Sequence, residues 1–162
     1  MSDDFIEAQG RAFLAHRLRR SSELILQQTG AELLNKRLEV PPRGASMLLL
    51  IDETGPIGVA DIARRLRFSH PLIVRMAQTF AENGLIKVSK DPGDGRRKRL
   101  VVTELGHAEA EVLRELNTQL AHVFGQLFEE LGCDIIELLD HFDAALRERS
   151  INIRLSLRGE RS

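Results

Sequence analysis

Residues 59–103 read VADIARRLRFSHPLIVRMAQTFAENGLIKVSKDPGDGRRKRLVVT, and two short helical patterns followed by an alternating, turn-rich one decide the fold. Val59, Ile62, Ala63 and Leu66 recur at the threes and fours of a helix of about two turns. The pattern ends at Phe68-Ser69. Ser69 stands where an N-cap belongs, with Pro71 in the first turn of the next helix, where a missing N–H costs nothing. Ile73, Met76, Ala77 and Phe80 carry that helix to Asn83-Gly84, and Gly84 reads as a left-handed C-terminal cap. Two short helices joined by a tight connection fit a helix-turn-helix; by themselves they also fit a helical hairpin with no DNA role.

The residues that follow favour the first reading. Leu85 to Lys90 alternates apolar and polar side chains, Asp91-Pro92-Gly93-Asp94-Gly95 is dense in turn formers, and Arg99-Leu100-Val101-Val102-Thr103 is β-prone. This predicts a β-hairpin whose tip and returning arm hold Arg96, Arg97, Lys98 and Arg99 in succession. A hairpin beside a helix-turn-helix is a wing. Its long basic side chains suit a narrow, strongly negative minor groove, while the first turns of the preceding helix suit the major groove.

Charge is segregated along the chain in the same sense. The window 60–103 holds ten basic residues against four acidic ones, within a chain whose net charge is -1. Residues 104–162 hold six Arg against twelve Asp and Glu. A basic middle between acidic flanks points to a polyanion facing the middle.

Outward from this centre the chain reads as helix. From about Arg11 to Arg37, Phe13, Leu14, Leu18, Leu24, Ile25, Leu33 and Leu34 suit a long amphipathic helix that Gly30 would loosen and Val40-Pro41-Pro42 would stop. A further helix is expected over about Arg43 to Glu53, closed by the turn Thr54-Gly55-Pro56. On the other side, Leu113, Leu116, Leu120, Phe124, Leu127 and Leu131 form one stripe, and Ile135, Leu139, Phe142 and Leu146 another, with Ile153 and Leu157 continuing its phase. Val112, Val123, Phe128, Ile136 and Leu138 widen these stripes beyond a single contact face, so a second partner is expected. A small winged domain reads few base pairs alone, and a two-fold dimer would set two recognition helices about one turn of DNA apart. The expected architecture is therefore mainly α with a small β-hairpin wing: an N-terminal dimerisation helix in 1–40, a winged helix-turn-helix in 41–103 and C-terminal dimerisation helices in 104–162.

Asp94, Arg96, Leu100 and Thr103, spaced D-x-R-x-x-x-L-x-x-T and followed by Gly106, resemble the wing signature of the MarR family of winged helix-turn-helix transcriptional regulators. The order of elements resembles that family over nearly the whole chain. The resemblance implies that Arg96 enters the minor groove, that Asp94 holds the wing in shape, and that Leu100 is core. It places Arg75 among the recognition-helix arginines, with Ser69, His70, Leu72 and Val74 near bases and phosphates. His70, Pro71 and Leu72 replace the small polar residues common there, so apolar contact with thymine methyls or sugars would replace some hydrogen bonds. The likeness further implies a homodimer on double-stranded DNA and a small ligand, often an aromatic acid or phenol, bound between the dimer helices and the winged domain, where His16 or Arg43 would meet an anion.

Composition closes off other classes. The 162 residues are 43% hydrophobic and 29% charged, and the longest strongly apolar run is Met47 to Ile51, far short of the roughly 20 residues a membrane span needs. The opening Met1-Ser2-Asp3-Asp4 is acidic where a signal peptide is basic, so a cytoplasmic protein is expected. Trp and Tyr are absent and Phe supplies all seven aromatics, which leaves few stacking platforms for single-stranded nucleic acid. His16, His70, His107, His122 and His141 are scattered, and the single Cys133 forms no multi-cysteine site, so no metal site or cofactor is expected. Cys133, beside Gly132 at a break between helices, reads as an exposed thiol. Glu109, Glu111, Glu129 and Glu130 read as solvated helix faces. With no nucleophile, base and orienting group in view, an enzyme is not expected. Two alternatives stay open: a helical protein-interaction module with a basic face, and a metal or small-molecule sensor whose DNA contact is secondary.

Overall fold

The computed structural model describes residues 3–90 and 98–159, so Asp94, Arg96 and Arg97 lie outside the described residues. In chain order it shows α1 (Phe5–Ala8), a 3-10 turn (Gly10–Phe13), α2 (Leu14–Asn35), a 3-10 turn (Pro42–Gly44), α3 (Ala45–Thr54), α4 (Val59–Leu66), α5 (His70–Glu82), β1 (Ile86–Lys90), β2 (Lys98–Val102), α6 (Glu104–Leu131), α7 (Ile135–Glu148) and α8 (Ile151–Gly159). The architecture is mainly helical with one two-stranded antiparallel sheet. The chain divides into two compact units, residues 1–115 and 116–162.

The N-terminal helix departs from its sequence reading at both ends. The expected start at Arg11 falls in the 3-10 turn, because Gly10 adopts φ +56° and breaks the helical run. Ahead of it, the Asp4 carboxylate accepts hydrogen bonds from the Ile6 and Glu7 N–H groups at 2.9 and 3.2 Å and starts the short α1. The Asp4–Arg20 and Glu7–Arg17 ion pairs then tie α1 to α2. The far end of α2 is closed by Arg37 at φ +57°, with the Leu38 N–H donating to the Leu33 carbonyl, so the helix ends two residues short of the expected Arg37. Gly30 does not loosen α2, which runs unbroken through it. Its role is space: a Cβ at Gly30 would stand 2.9 Å from Pro42 Cγ.

The core of the first unit sits among α3, α4, α5 and the first turns of α6. Met47, Leu48, Ile51, Ile62, Ile73, Phe80 and Leu85 have no exposure, and Leu113 has 1%. The strands pair from Ile86↔Val102 to Lys90↔Lys98. A single bridge adds Ile57, whose N–H donates to the Leu100 carbonyl at 3.1 Å and whose carbonyl accepts from the Leu100 N–H at 2.8 Å. One bridged residue leaves no periodicity for a sequence to show.

Leu100, Thr103 and Gly106, the described residues of the motif, have physical reasons. Leu100 is buried at 4% exposure, sharing the core with Ile57. Thr103 starts α6: its hydroxyl donates to the Gly84 carbonyl at 2.6 Å and accepts from the Gly106 N–H at 3.0 Å. At Gly106 the helix meets the chain so closely that a Cβ would fall 2.0 Å from the Leu85 carbonyl oxygen. Gly84 takes the expected left-handed conformation, φ +72°.

The C-terminal stripes are carried by three helices rather than two. Gly132 at φ +67° ends α6, and Asp134 caps α7 by accepting from the Ile136 and Glu137 N–H groups at 2.8 and 3.1 Å. The expected continuation of phase into Ile153 and Leu157 is broken, because Arg149 is extended and a new helix begins at Ile151. Among the described residues beyond Leu116, none is buried.

Candidate DNA-binding surface

α4 and α5 are joined through Arg67, which adopts the left-handed φ of +55°, while the Phe68 N–H donates back to the Ala63 carbonyl at 3.0 Å. This tight reversal sets the start of α5. Ser69 occupies the N-cap position of α5, but its side chain makes no capping hydrogen bond, and Pro71 sits in the first turn. Proline's preset backbone angle suits that turn without help from the hydroxyl.

α5 divides cleanly into two faces. Ile73, Met76 and Phe80 are buried, whereas His70, Pro71, Val74, Arg75, Gln78 and Thr79 are exposed and Leu72 is half-buried. The open face therefore runs through positions 70–71, 74–75 and 78, one helical turn apart each time. Ser69, before the helix, is exposed as well. Gln78 was not singled out from the sequence, although it lies four residues beyond Val74 and three beyond Arg75. The spacing was available; what was missing was proof that Val74 faces outward.

On the wing, Lys98 is exposed at the start of β2, and Arg99 is half-buried with its guanidinium donating to the Pro56 carbonyl at 3.2 Å. Arg64, Arg65 and Arg99 line one cleft with Thr54, Pro56, Ile57, Gly58 and Asp61. That grouping unites residues more than thirty positions apart. His16 lies in the first turn of α2 with its ring centroid 4.9 Å from that of Phe13, and Arg43 lies 3.6 Å from Glu23. Cys133 is exposed in the bend between α6 and α7.

Two acidic positions behave differently from a solvated face. Glu109 is only 4% exposed, and its carboxylate accepts the N–H groups of Glu39 and Val40, each at 2.9 Å. The segment before Pro41 leaves those donors without helix partners, and the buried carboxylate satisfies both. Asp52, with 5% side-chain exposure, accepts from Arg114 and lies 2.7 Å from His107 Nδ1, and Arg114 also pairs with Glu111. Burial works to raise the Asp52 pKa, yet the hydrogen bonds from His107 and Arg114 prevail and hold it below its ordinary value. The hydrogen bond with Asp52, and then its charge, raise that of His107. Asp52, His107 and Glu111 thus bring ligand-type atoms within 4.8 Å of one another, but both carboxylates are already engaged by the Arg114 guanidinium. The cluster ties the C-terminal end of α3 to α6.

A paired-helix reader with an exposed second-helix face, packed against a two-stranded wing, defines a winged helix-turn-helix domain. Residues 43–98 match the model of the MarR family. The family is one of transcriptional regulators, not enzymes. The chain is similar to the uncharacterised HTH-type transcriptional regulator YxaD of Bacillus subtilis (strain 168), 28% identical over 57% of this chain and 75% of that protein. In fold it resembles the transcriptional regulator SlyA, at TM-score 0.64 and 18% identity over 87% of this chain and 94% of that one. It likewise resembles the PcaV transcriptional regulator from Streptomyces coelicolor, solved with its natural ligand, at TM-score 0.64 and 20% identity over 94% and 99%. Among the described residues, no helix is long and apolar enough to cross a membrane.

Proposed function

We propose that this chain is a homodimeric transcriptional repressor that binds a pseudo-palindromic double-stranded DNA operator and responds to a small aromatic or anionic ligand. The observation that carries the reading is the open face of α5 beside a basic wing, within the segment matched by the MarR model. In this proposal residues 41–103 read DNA, while 1–40 and 104–162 dimerise. Ser69, His70, Leu72, Val74 and Arg75 approach the major groove; Arg96 enters the minor groove, and Arg97, Lys98 and Arg99 add phosphate contacts. Asp94 holds the wing in shape.

The dimer is supported by uncovered apolar surface in the second unit. Leu127, Leu131, Ile135, Leu138, Leu139 and Phe142 are each at least 37% exposed, and a second copy would cover them. The ligand is supported by an apolar cleft of about 520 Å³ beside α2, lined by residues including Leu26, Gln27, Gly30, Leu34, Val40 and Pro42, a size usual for small-molecule sites. His16 and Arg43, the proposed anion contacts, do not line this cleft. Location in the cytoplasm follows from the same reading.

The test is recovery and sequencing of genomic fragments retained by the purified chain at near-physiological salt. A two-fold-related motif is the expected outcome. Recovery without a common motif would favour a basic-faced protein-interaction module instead.

A further inference from the structure

The cleft at the base of the wing is built by the helix before the recognition helix and by the wing's returning strand. Its lining holds three guanidinium groups, Arg64, Arg65 and Arg99, and one carboxylate, Asp61. Arg64 is paired with Asp61 at 2.6 Å, so those two charges offset each other and Arg65 adds an exposed guanidinium to the cleft. Arg65 is exposed and has no hydrogen bond or ion pair among the described residues. The cleft of about 300 Å³ is open to solvent and ample for a tetrahedral anion. It is also rigid on the wing side: the reciprocal Ile57–Leu100 hydrogen bonds fasten the loop to β2, and Arg99 is anchored on the Pro56 carbonyl. The Arg99 guanidinium, held by a backbone contact, loses little freedom when an anion arrives.

We propose that this cleft takes a phosphate of the DNA backbone, with Arg65 and Arg99 as its principal donors and Arg64 held by Asp61 at its rim. The inference rests on the DNA-binding reading above and adds a contact that positions the duplex without reading its sequence. A phosphate seated there would brace the wing and α4 on the same backbone, fixing the register in which α5 meets the bases.

Arg65 is exposed and outside the core, so Arg65→Ala tests the site without disturbing the fold; Arg65→Ala/Arg99→Ala extends the test, with thermal unfolding to check the wing. Affinity for an operator duplex and for an unrelated duplex is measured across a salt series. The expected result is a fall of about one in the slope of log affinity against log salt for each arginine removed, with the two duplexes weakened by the same factor. An unchanged slope for Arg65→Ala, or a loss confined to one duplex sequence, overturns the proposal. Inorganic phosphate added at constant ionic strength should weaken the wild type more than the double variant; equal weakening would also overturn it. A wild-type chain that binds no duplex fails the functional reading itself, whereas a binding wild type with an indifferent Arg65→Ala fails only the cleft.

Discussion

The winged region and the C-terminal helices use apolar residues in opposite ways. In α3 to α5, Met47, Leu48, Ile51, Ile62, Ile73 and Phe80 are wholly covered by one another. In α7 and α8, Ile136, Leu138, Leu139, Phe142, Ile151 and Leu155 are 38–64% exposed. Both regions show helical spacing of comparable quality. Periodicity therefore says that a face is apolar, not whether its own chain covers it. The winged region closes because three short helices and a hairpin surround one volume. The second unit has elongated helices and nothing of its own wide enough to enclose them.

The largest expected effect tests the closed half of that contrast. Phe80→Ala should cost about 3–5 kcal/mol of folding stability, measured by denaturant unfolding, since Phe80 is fully buried. A loss below about 1 kcal/mol would mean that the core repacks freely and the contrast is weaker than drawn. Phe142→Ala tests the open half. It should weaken the dimer by about 2 kcal/mol, visible in sedimentation over a dilution series, while leaving amide exchange in α3–α5 unchanged. A variant with undiminished self-association would remove α7 from the proposed interface.

Function supplies the next contrast. Arg96→Ala should weaken operator binding by about 1–3 kcal/mol with no loss of thermal stability, the reverse of Phe80→Ala. Wild-type affinity in that variant would take the wing tip out of recognition.

The smallest effect lies where α3 is joined to α6. The pKa of His107 is raised from the ordinary 6.5 by its hydrogen bond with Asp52 and then by the charge of Asp52. Its contribution to stability is thus complete below pH 6.5 and is lost as pH rises through the raised value. His107→Ala should lower the melting temperature by a few degrees at pH 6 and leave it nearly unchanged at pH 9. Equal losses at the two pH values would show that the ring acts by packing rather than charge. The Asp52 carboxylate, held below its ordinary 3.8 by His107 and Arg114 against the effect of burial, contributes stability above that value and loses it only as pH falls further.

The recognition helix was legible because its limits are local: Pro71 and Gly84 mark its start and end by backbone chemistry. The hairpin was legible because alternation over 85–90 and the turn formers after Ser89 leave few other conformations. Glu109 was misread as a solvated residue because its partners, the Glu39 and Val40 N–H groups, lie about seventy positions away. The Arg65–Arg99 cleft was missed for the same reason, and Gln78 because exposure at Val74 depends on what packs against the opposite face of α5.

The sequence by itself determined the helix-turn-helix pair, the two strands after it and the basic centre, since capping, proline geometry and hydrophobic period act within a few residues. Only the tertiary structure decided that Thr103 and Gly106 lock the first turn of α6 to residues 84–85, that Asp52 meets both His107 and Arg114, and that the C-terminal stripes are covered at Leu113 and Leu116 but, among the described residues, not buried beyond them. Each of these depends on surfaces brought together from distant parts of the chain, where steric fit and the partners of buried polar groups are settled by packing.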